Sequence, residues 1–366
     1  MKFDYLIVGA GFAGAVMAER LASVLNKKVL VIDKRNHIAG NAFDERNEYD
    51  IMIHKYGPHL FHTNSEMVFS YLSMFTDWYK YEHRVLAFSD GELYQIPINK
   101  NTLNKVFNLS LATDREVSDF LDAIREKRYP ILNSEDVIVN QVGSTLFEKF
   151  FKSYTLKQWQ REPKELSASV CGRIPVRTNE DDRYFTDRFQ YMPSDGYTKM
   201  FERILSHENI TVELNKDFFE LESDLKFDNL IYTGPIDKFY GYRFGKLPYR
   251  SLRFEYKSYE KEFYQPVSQV NYVDPDVDFT RVVEYKHITN PKSKYTTIAC
   301  EFSQSDGEPF YPVPSDDTRH LYMKYRDIAL KERRVKFCGR LAEYQYFNMD
   351  QVVANTLKVF KQIANE

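Results

Sequence analysis

Gly9, Gly11 and Gly14 follow the apolar run "YLIVGAG" and open the run "FAGAVMAERLASVL". A strand that ends in this spacing and passes into a helix offers free N–H groups and the positive end of a helix dipole to a pyrophosphate. Gly9 permits the tight turn, Gly11 lets the pyrophosphate approach the backbone, and Gly14 lets helix and strand pack closely. Asp33 ends the second apolar run, "KKVLVID", about 20 residues further on, where a carboxylate accepts the ribose hydroxyls of an adenosine. The chemistry indicated is dinucleotide binding. After Asp33, "KRNHIAGNA" brings the small pair Ala39-Gly40, the extended form of the motif that suits FAD rather than NAD. A C-terminal strand, loop and helix beginning at "RVKFCGR" would aim a second helix N-terminus at a flavin ring.

Other chemically capable residues are scattered. "HKYGPHLFHTN" holds His54, His59 and His62. Histidine is the commonest metal ligand, but the companion carboxylates of an open metal site are missing. A loop against an isoalloxazine face is expected instead, and no metal. "FEKFFKSYTLKQWQ" sets Phe151, Tyr154, Gln158 and Trp159 within about two helical turns. Arg173, Arg281 and Tyr311 stand alone, and spacing by itself does not join them.

The elements that must position these groups follow from periodicity. "FDYLIVGAG", "GAVMAERLASVL" and "KKVLVIDK" make a βαβ start, so a parallel sheet is expected. A helix capped near Asn64 or Ser65 follows, then a hairpin turning at Asp90-Gly91. Residues 101–160 have helical periodicity. "LRFEYK" and "TRVVEYKH" alternate polar and apolar, as antiparallel strands do. In the last helix, Met349, Val352, Val353, Thr356, Leu357 and Phe360 form one core stripe. The fold class expected is α/β: a discontinuous Rossmann-like FAD-binding domain (1–78, 195–245 and 318–366), a helical insert (101–165) and an antiparallel sheet domain (79–100, 166–194 and 246–317).

The chain has 366 residues, 43% of them apolar, and the 50 Lys and Arg against 53 Asp and Glu leave a net charge of -3. That balance excludes a general nucleic-acid surface. Cys171, Cys300 and Cys338 have no C-x-x-C spacing and are read as reduced thiols of a cytoplasmic protein. Neither a secretory leader nor an apolar stretch long enough for a bilayer is legible.

Taken together, "YLIVGAGFAGAV", "KKVLVIDKRNHIAGNA", "HKYGPHLFHTN", "YTLKQW", "RIPVR", "GYTKM", "IYTGPID", "TRVVEYKH", "PFYPV" and "GRLAEYQYFNMDQV" resemble the bacterial UDP-galactopyranose mutase family nearly end to end. The resemblance implies an FAD isomerase, active with reduced flavin, that interconverts six- and five-membered ring forms of a nucleotide-linked sugar. In that family flavin N5 attacks the anomeric carbon, which explains the lack of a catalytic triad. The resemblance assigns Arg173 and Arg281 to the diphosphate, with His62 beside the reacting sugar. Phe151, Tyr154 and Trp159 line the uridine pocket, Tyr184, Tyr311 and Tyr346 reach the diphosphate, and Asn271 contacts substrate. The matching flavin contacts are Gly9, Gly11, Phe12, Ala13, Gly14, Asp33, Lys34, Gly40, Asn41, His59, Leu60, Asp217, Phe218, Arg340, Phe347, Asn348, Met349, Asp350, Gln351 and Val352. "KELSASVCGRIPVR" matches the segment that closes over substrate in the family. The implied partners are a nucleotide-diphosphate sugar, a reductant such as NAD(P)H and a second copy in a homodimer.

Three positions depart from the family pattern. His83 stands where Asn is frequent close to the sugar, Asn348 where Asp is usual, and Phe347 where Tyr is usual. They open the choice of sugar and base, with dTDP-fucopyranose or another deoxy or amino sugar as the alternative to UDP-galactopyranose. An amine-oxidase-like oxidoreductase would share the dinucleotide ends but has no use for two diphosphate arginines. A flavin-bearing binding protein is the third reading.

Overall fold

In "YLIV" and "VLVI" every residue is apolar, so the strands they form must be covered on both faces. The computed structural model describes residues 2–172, 175–221, 225–289 and 291–366. In it Lys2–Val8, Val29–Asp33, Ile210–Leu214, Lys226–Tyr232 and Val335–Phe337 form an all-parallel sheet. Lys2–Val8 lies at its centre, between Val29–Asp33 and Lys226–Tyr232. The pleat sorts side chains with period two. Ile7, Val29, Val31 and Ile231 join a core with the Phe12–Leu25 and Met349–Ala364 helices. Leu6, Leu30, Ile32 and Leu230 face the other way, with Phe3 and Tyr232. In the last helix Val352, Val353, Thr356, Leu357 and Phe360 are buried.

A seven-stranded sheet stands apart from the parallel one. Its order is Tyr311–Pro312, Tyr249–Tyr259, Thr296–Gln304, Arg281–Glu284, Gln269–Tyr272, Val85–Ser89 and Glu92–Ile96. All neighbours are antiparallel except Gln269–Tyr272 and Val85–Ser89, which run parallel. The hairpin from Val85 turns at Asp90 (φ 53°) and Gly91 (φ 80°), the positive-φ pair that matches strand twist. A smaller sheet joins Phe61–Thr63, Phe189–Pro193 and Trp78–Lys80.

Helices Lys100–Phe107, Asp114–Ile124 and Ser134–Leu146 pack on the Val85 hairpin through Leu103, Val117, Leu121, Ile138 and Val142. The third is broken at Gly143 (φ 79°, ψ 170°) and passes into a π-helical turn, Phe147–Lys152, before the α-helix Ser153–Trp159. Ser65 caps the Glu66–Leu72 helix, its hydroxyl accepting from the Val68 N–H at 3.3 Å. Among the described residues no helix is long and apolar enough to cross a membrane.

Candidate active site

A cavity of about 870 Å³ opens at the glycine loop and runs to Trp159. The loop is a cradle that side chains would fill. Gly9 has φ +105°, and a Cβ there would lie 2.1 Å from Thr233 Oγ1. A Cβ on Gly14 would lie 1.8 Å from the Gly9 carbonyl oxygen, so this residue brings helix and strand together. Gly11 precedes the helix without any side-chain cap, which leaves the first-turn N–H groups of Phe12 and Ala13 for a ligand. Asp33 accepts from the Ala10 N–H (2.8 Å) and the Arg35 N–H (2.9 Å). Each carboxylate oxygen keeps a second lone pair, and the contacts fix the loop. This uncapped, glycine-lined cradle fits a dinucleotide.

Of the residues assigned to the flavin, Gly9, Gly11, Phe12, Ala13, Asp33, Lys34, Gly40, Asn41, His59, Asp217, Phe218, Arg340, Met349 and Val352 border this cavity. Gly14, Leu60, Phe347, Asn348, Asp350 and Gln351 do not. The Phe347 carbonyl instead accepts from Arg340 Nε at 3.1 Å, and Asp350 accepts from the Thr63 hydroxyl at 2.9 Å. Asn348 caps the last helix, its N–H donating to Gln351 Oε1 at 2.9 Å. Met349 and Val352, from the core stripe, also face the cavity at that helix's first turn. Asp217 caps the short Phe218–Glu220 turn through the Phe219 N–H at 3.0 Å. Lys34 pairs with Glu308 at 2.7 Å, so a loop of the second sheet reaches the cradle.

Of the described residues assigned to substrate only Trp159 borders this cavity; the others form a side-chain cluster beyond it. Trp159 meets Tyr346 edge-on at 5.8 Å, and Tyr346 meets Tyr311 at 5.4 Å. The Arg340 guanidinium lies 5.3 Å from the Tyr311 ring centre and 5.9 Å from that of Tyr346. Arg281 stands in register with Asn271 on one neighbouring strand and Glu301 on the other. It donates to Glu301 at 2.8 Å, while Arg281 Nε and Glu301 Oε2 are buried and have no hydrogen-bond partner among the described residues. Burial opposes the Arg281 charge, but the Glu301 carboxylate overcomes it and raises the pKa well above the usual value. The Tyr154 and Tyr311 hydroxyls lie within its field, and burial raises both phenol pKa values, keeping them neutral donors.

The histidines divide. Burial draws His54 and His59 down to about 3. His83 is also held near 3, by burial first and the Arg281 charge second, and its Nδ1 lies 3.1 Å from the Ser268 hydroxyl. His62 stacks on Phe185 at 3.6 Å, and its Nδ1 lies 2.9 Å from Asp187. A carboxylate only accepts, so Nδ1 carries the proton there. Tyr184 sits edge-on to His83 and Phe185. Asn271 Oδ1 accepts from Gln269 at 2.9 Å. Phe151 is buried in the helical core beside Tyr154. Arg173 lies outside the described residues. No group of three or more His, Cys, Asp or Glu among the described residues could hold a metal ion.

Glu301, Asp187 and Arg250 escaped the sequence reading. Arg250 borders the cavity, fully engaged by Gln158 O (3.1 Å), Gln160 Oε1 (3.0 Å), Ser305 Oγ (2.8 Å) and Ser303 Oγ (2.8 Å). The one available signal was Glu301 itself, the single charged residue of the strand "TTIACEFSQ".

Residues 149–346 match the family described as UDP-galactopyranose mutase, and residues 7–75 match the NAD(P)-binding Rossmann-like domain. A Klebsiella pneumoniae protein named "Probable UDP-galactopyranose mutase" is 39% identical, with 97% of this chain and 93% of that one covered. The dTDP-fucopyranose mutase of Escherichia coli is also 39% identical, with 96% of each chain covered. The crystal structure of a reduced UDP-galactopyranose mutase superposes with a TM-score of 0.81 at 17% identity, covering 100% of this chain and 96% of that one. That likeness concerns the fold, whereas the sequence matches extend over both the cradle and the Arg281 cluster. The chain therefore belongs to the UDP-galactopyranose mutase family.

Proposed function

We propose that this isomerase interconverts the pyranose and furanose forms of a nucleotide-diphosphate hexose, UDP-galactose first, with FAD in the glycine cradle. The observation that carries this is the buried Arg281–Glu301 pair, whose unpartnered Nε lies beside two neutral tyrosines and one arginine away from the cradle. When bound and reduced, FAD supplies the nucleophile toward the anomeric carbon. The protein's own work is to hold and neutralise. Arg281 neutralises the departing diphosphate, and Glu301 fixes its guanidinium. Arg173 is the second guanidinium in this reading. Tyr154, Tyr184, Tyr311 and Tyr346 surround the diphosphate, and their hydroxyls donate to it. Trp159 stacks on the base, with Phe151 and Tyr154 behind it. Asn271 and neutral His83 border the sugar, and His62, oriented by Asp187, offers Nε2 as a proton acceptor. The reaction is redox-neutral overall, so NAD(P)H is needed only to reduce the flavin. We place the enzyme in the cytoplasm as a homodimer.

One observation favours a second substrate. Identity to the dTDP-fucopyranose mutase equals that to the Klebsiella relative. Dithionite-reduced protein should be incubated with UDP-galactopyranose, dTDP-fucopyranose and related sugars, and furanose products separated by chromatography. Ring contraction of UDP-galactose is expected. Turnover of dTDP-fucopyranose alone selects the second reading. Rearrangement of none, or oxygen consumption with amines, overturns both.

A further inference from the structure

Lys157 sits in the helix that presents Tyr154 and Trp159, but its ammonium does not run out to water as surface lysines do. It is ringed by four backbone carbonyls, one ending the Gln269–Tyr272 strand and three in the loop that follows: Tyr272 (2.6 Å), Asp274 (2.9 Å), Val277 (3.0 Å) and Phe279 (3.4 Å). An ammonium has three protons and no acceptor, so this ring saturates it. The loop joins the strand bearing Asn271 to the strand bearing Arg281. Burial draws the amine down to about 8, opposed by Asp274 and Asp278, so it is charged at neutral pH. The opposite side of Trp159 is also tied: the Gln158 carbonyl accepts from Arg250 and from the Ser303 hydroxyl. Eight residues earlier, Lys149 docks on the Ser89-Asp90 turn.

We propose that Lys157 is a positioning residue that sets the distance between Trp159 and Arg281, the two ends of a nucleoside diphosphate. This rests on the reading above that Trp159 meets the base and Arg281 the diphosphate. A compact ammonium suits this role, because its short contacts to one loop fix how far the helix can drift from the Arg281 hairpin. A ligand that spans both ends must sense that distance. One that reaches only the base end need not.

The probes are UDP and UMP, titrated against the flavin-loaded Lys157→Met protein, with dTDP and dTMP alongside. UDP affinity should fall about tenfold, the scale of a lost charge-assisted hydrogen-bond set, while UMP affinity stays within about twofold. Flavin content should not change. Unchanged UDP affinity, or equal losses for UDP and UMP, overturns the proposal. If Lys157→Met does not fold, Lys157→Gln, which keeps two donors, is judged by the same ratio. Arg281→Lys separates the two levels. If it binds UDP as the parent does, the diphosphate reading itself fails and the Lys157 proposal falls with it. If it binds poorly and Lys157→Met binds normally, only the Lys157 proposal fails.

Discussion

The cradle is shaped largely by the main chain of residues 9–41; the Arg281 cluster is made of side chains drawn from residues 154 to 346. The first region excludes side chains: a Cβ at Gly9 or Gly14 would sit about 2 Å from its neighbour. The second depends on them, because its charge is an arginine held by one buried carboxylate. A site made of backbone fails by crowding. A site made of paired charges fails by losing a partner.

The sharpest break should come at the charged end. Glu301→Gln leaves the Arg281 guanidinium buried without its counter-ion, at a cost of about 3–5 kcal/mol. Urea denaturation reads this directly, and UDP binding should weaken in parallel. A loss below 1 kcal/mol, on the scale of an exposed pair, would remove the contrast. Next comes Gly14→Ala, which must part the helix from the Gly9 carbonyl at about 3 kcal/mol. The variant should purify without the yellow of bound flavin; full colour and an unchanged Tm would contradict a backbone-built cradle.

Acid should strike both regions alike. His54 and His59, on the loop that reaches the cradle, and His83, near Arg281, have folded pKa values of about 3. Their unfolded values lie near 6.5. Between these limits the unfolded chain binds more protons, so stability is complete above pH 6.5 and is lost as pH falls toward 3. The slope is about 4 kcal/mol per pH unit for the three groups. Denaturation midpoints across that range should show it, and His83→Gln should lower it by about a third. The smallest effect calibrates the rest: Ser65→Ala removes a helix cap for about 1 kcal/mol. It should lower Tm slightly and leave flavin content and turnover as they were.

The same contrast explains what was legible in the sequence. Gly9, Gly11, Gly14 and Asp33 record a backbone conformation, and a backbone conformation is written as spacing. The Asp90-Gly91 turn and the stripe from Val352 to Phe360 are likewise local. Arg281, Glu301 and Asn271 meet only through strand register, and Val85–Ser89 finds its parallel partner some 180 residues away. Neither pairing leaves a periodic trace. Phe151 and Tyr154 read as one amphipathic helix, yet Phe151 turns into the helical core while Tyr154 faces Arg281. Resemblance rather than spacing gathered the second region. The three departures from the family pattern also have distinct settings: His83 is buried beside the Arg281 cluster, Phe347 gives its carbonyl to Arg340, and Asn348 caps a helix.

The π-helical turn at Phe147–Lys152 has a consequence for how this lineage can vary. A π turn is an α-helix that has absorbed one surplus residue locally. Removing a residue from an ordinary turn would swing everything downstream by about 100°. Removing one between Phe147 and Lys152 would restore regular winding and leave Trp159 aimed as before. This stretch is thus built-in slack, where the chain could lose a residue without turning the Trp159 indole.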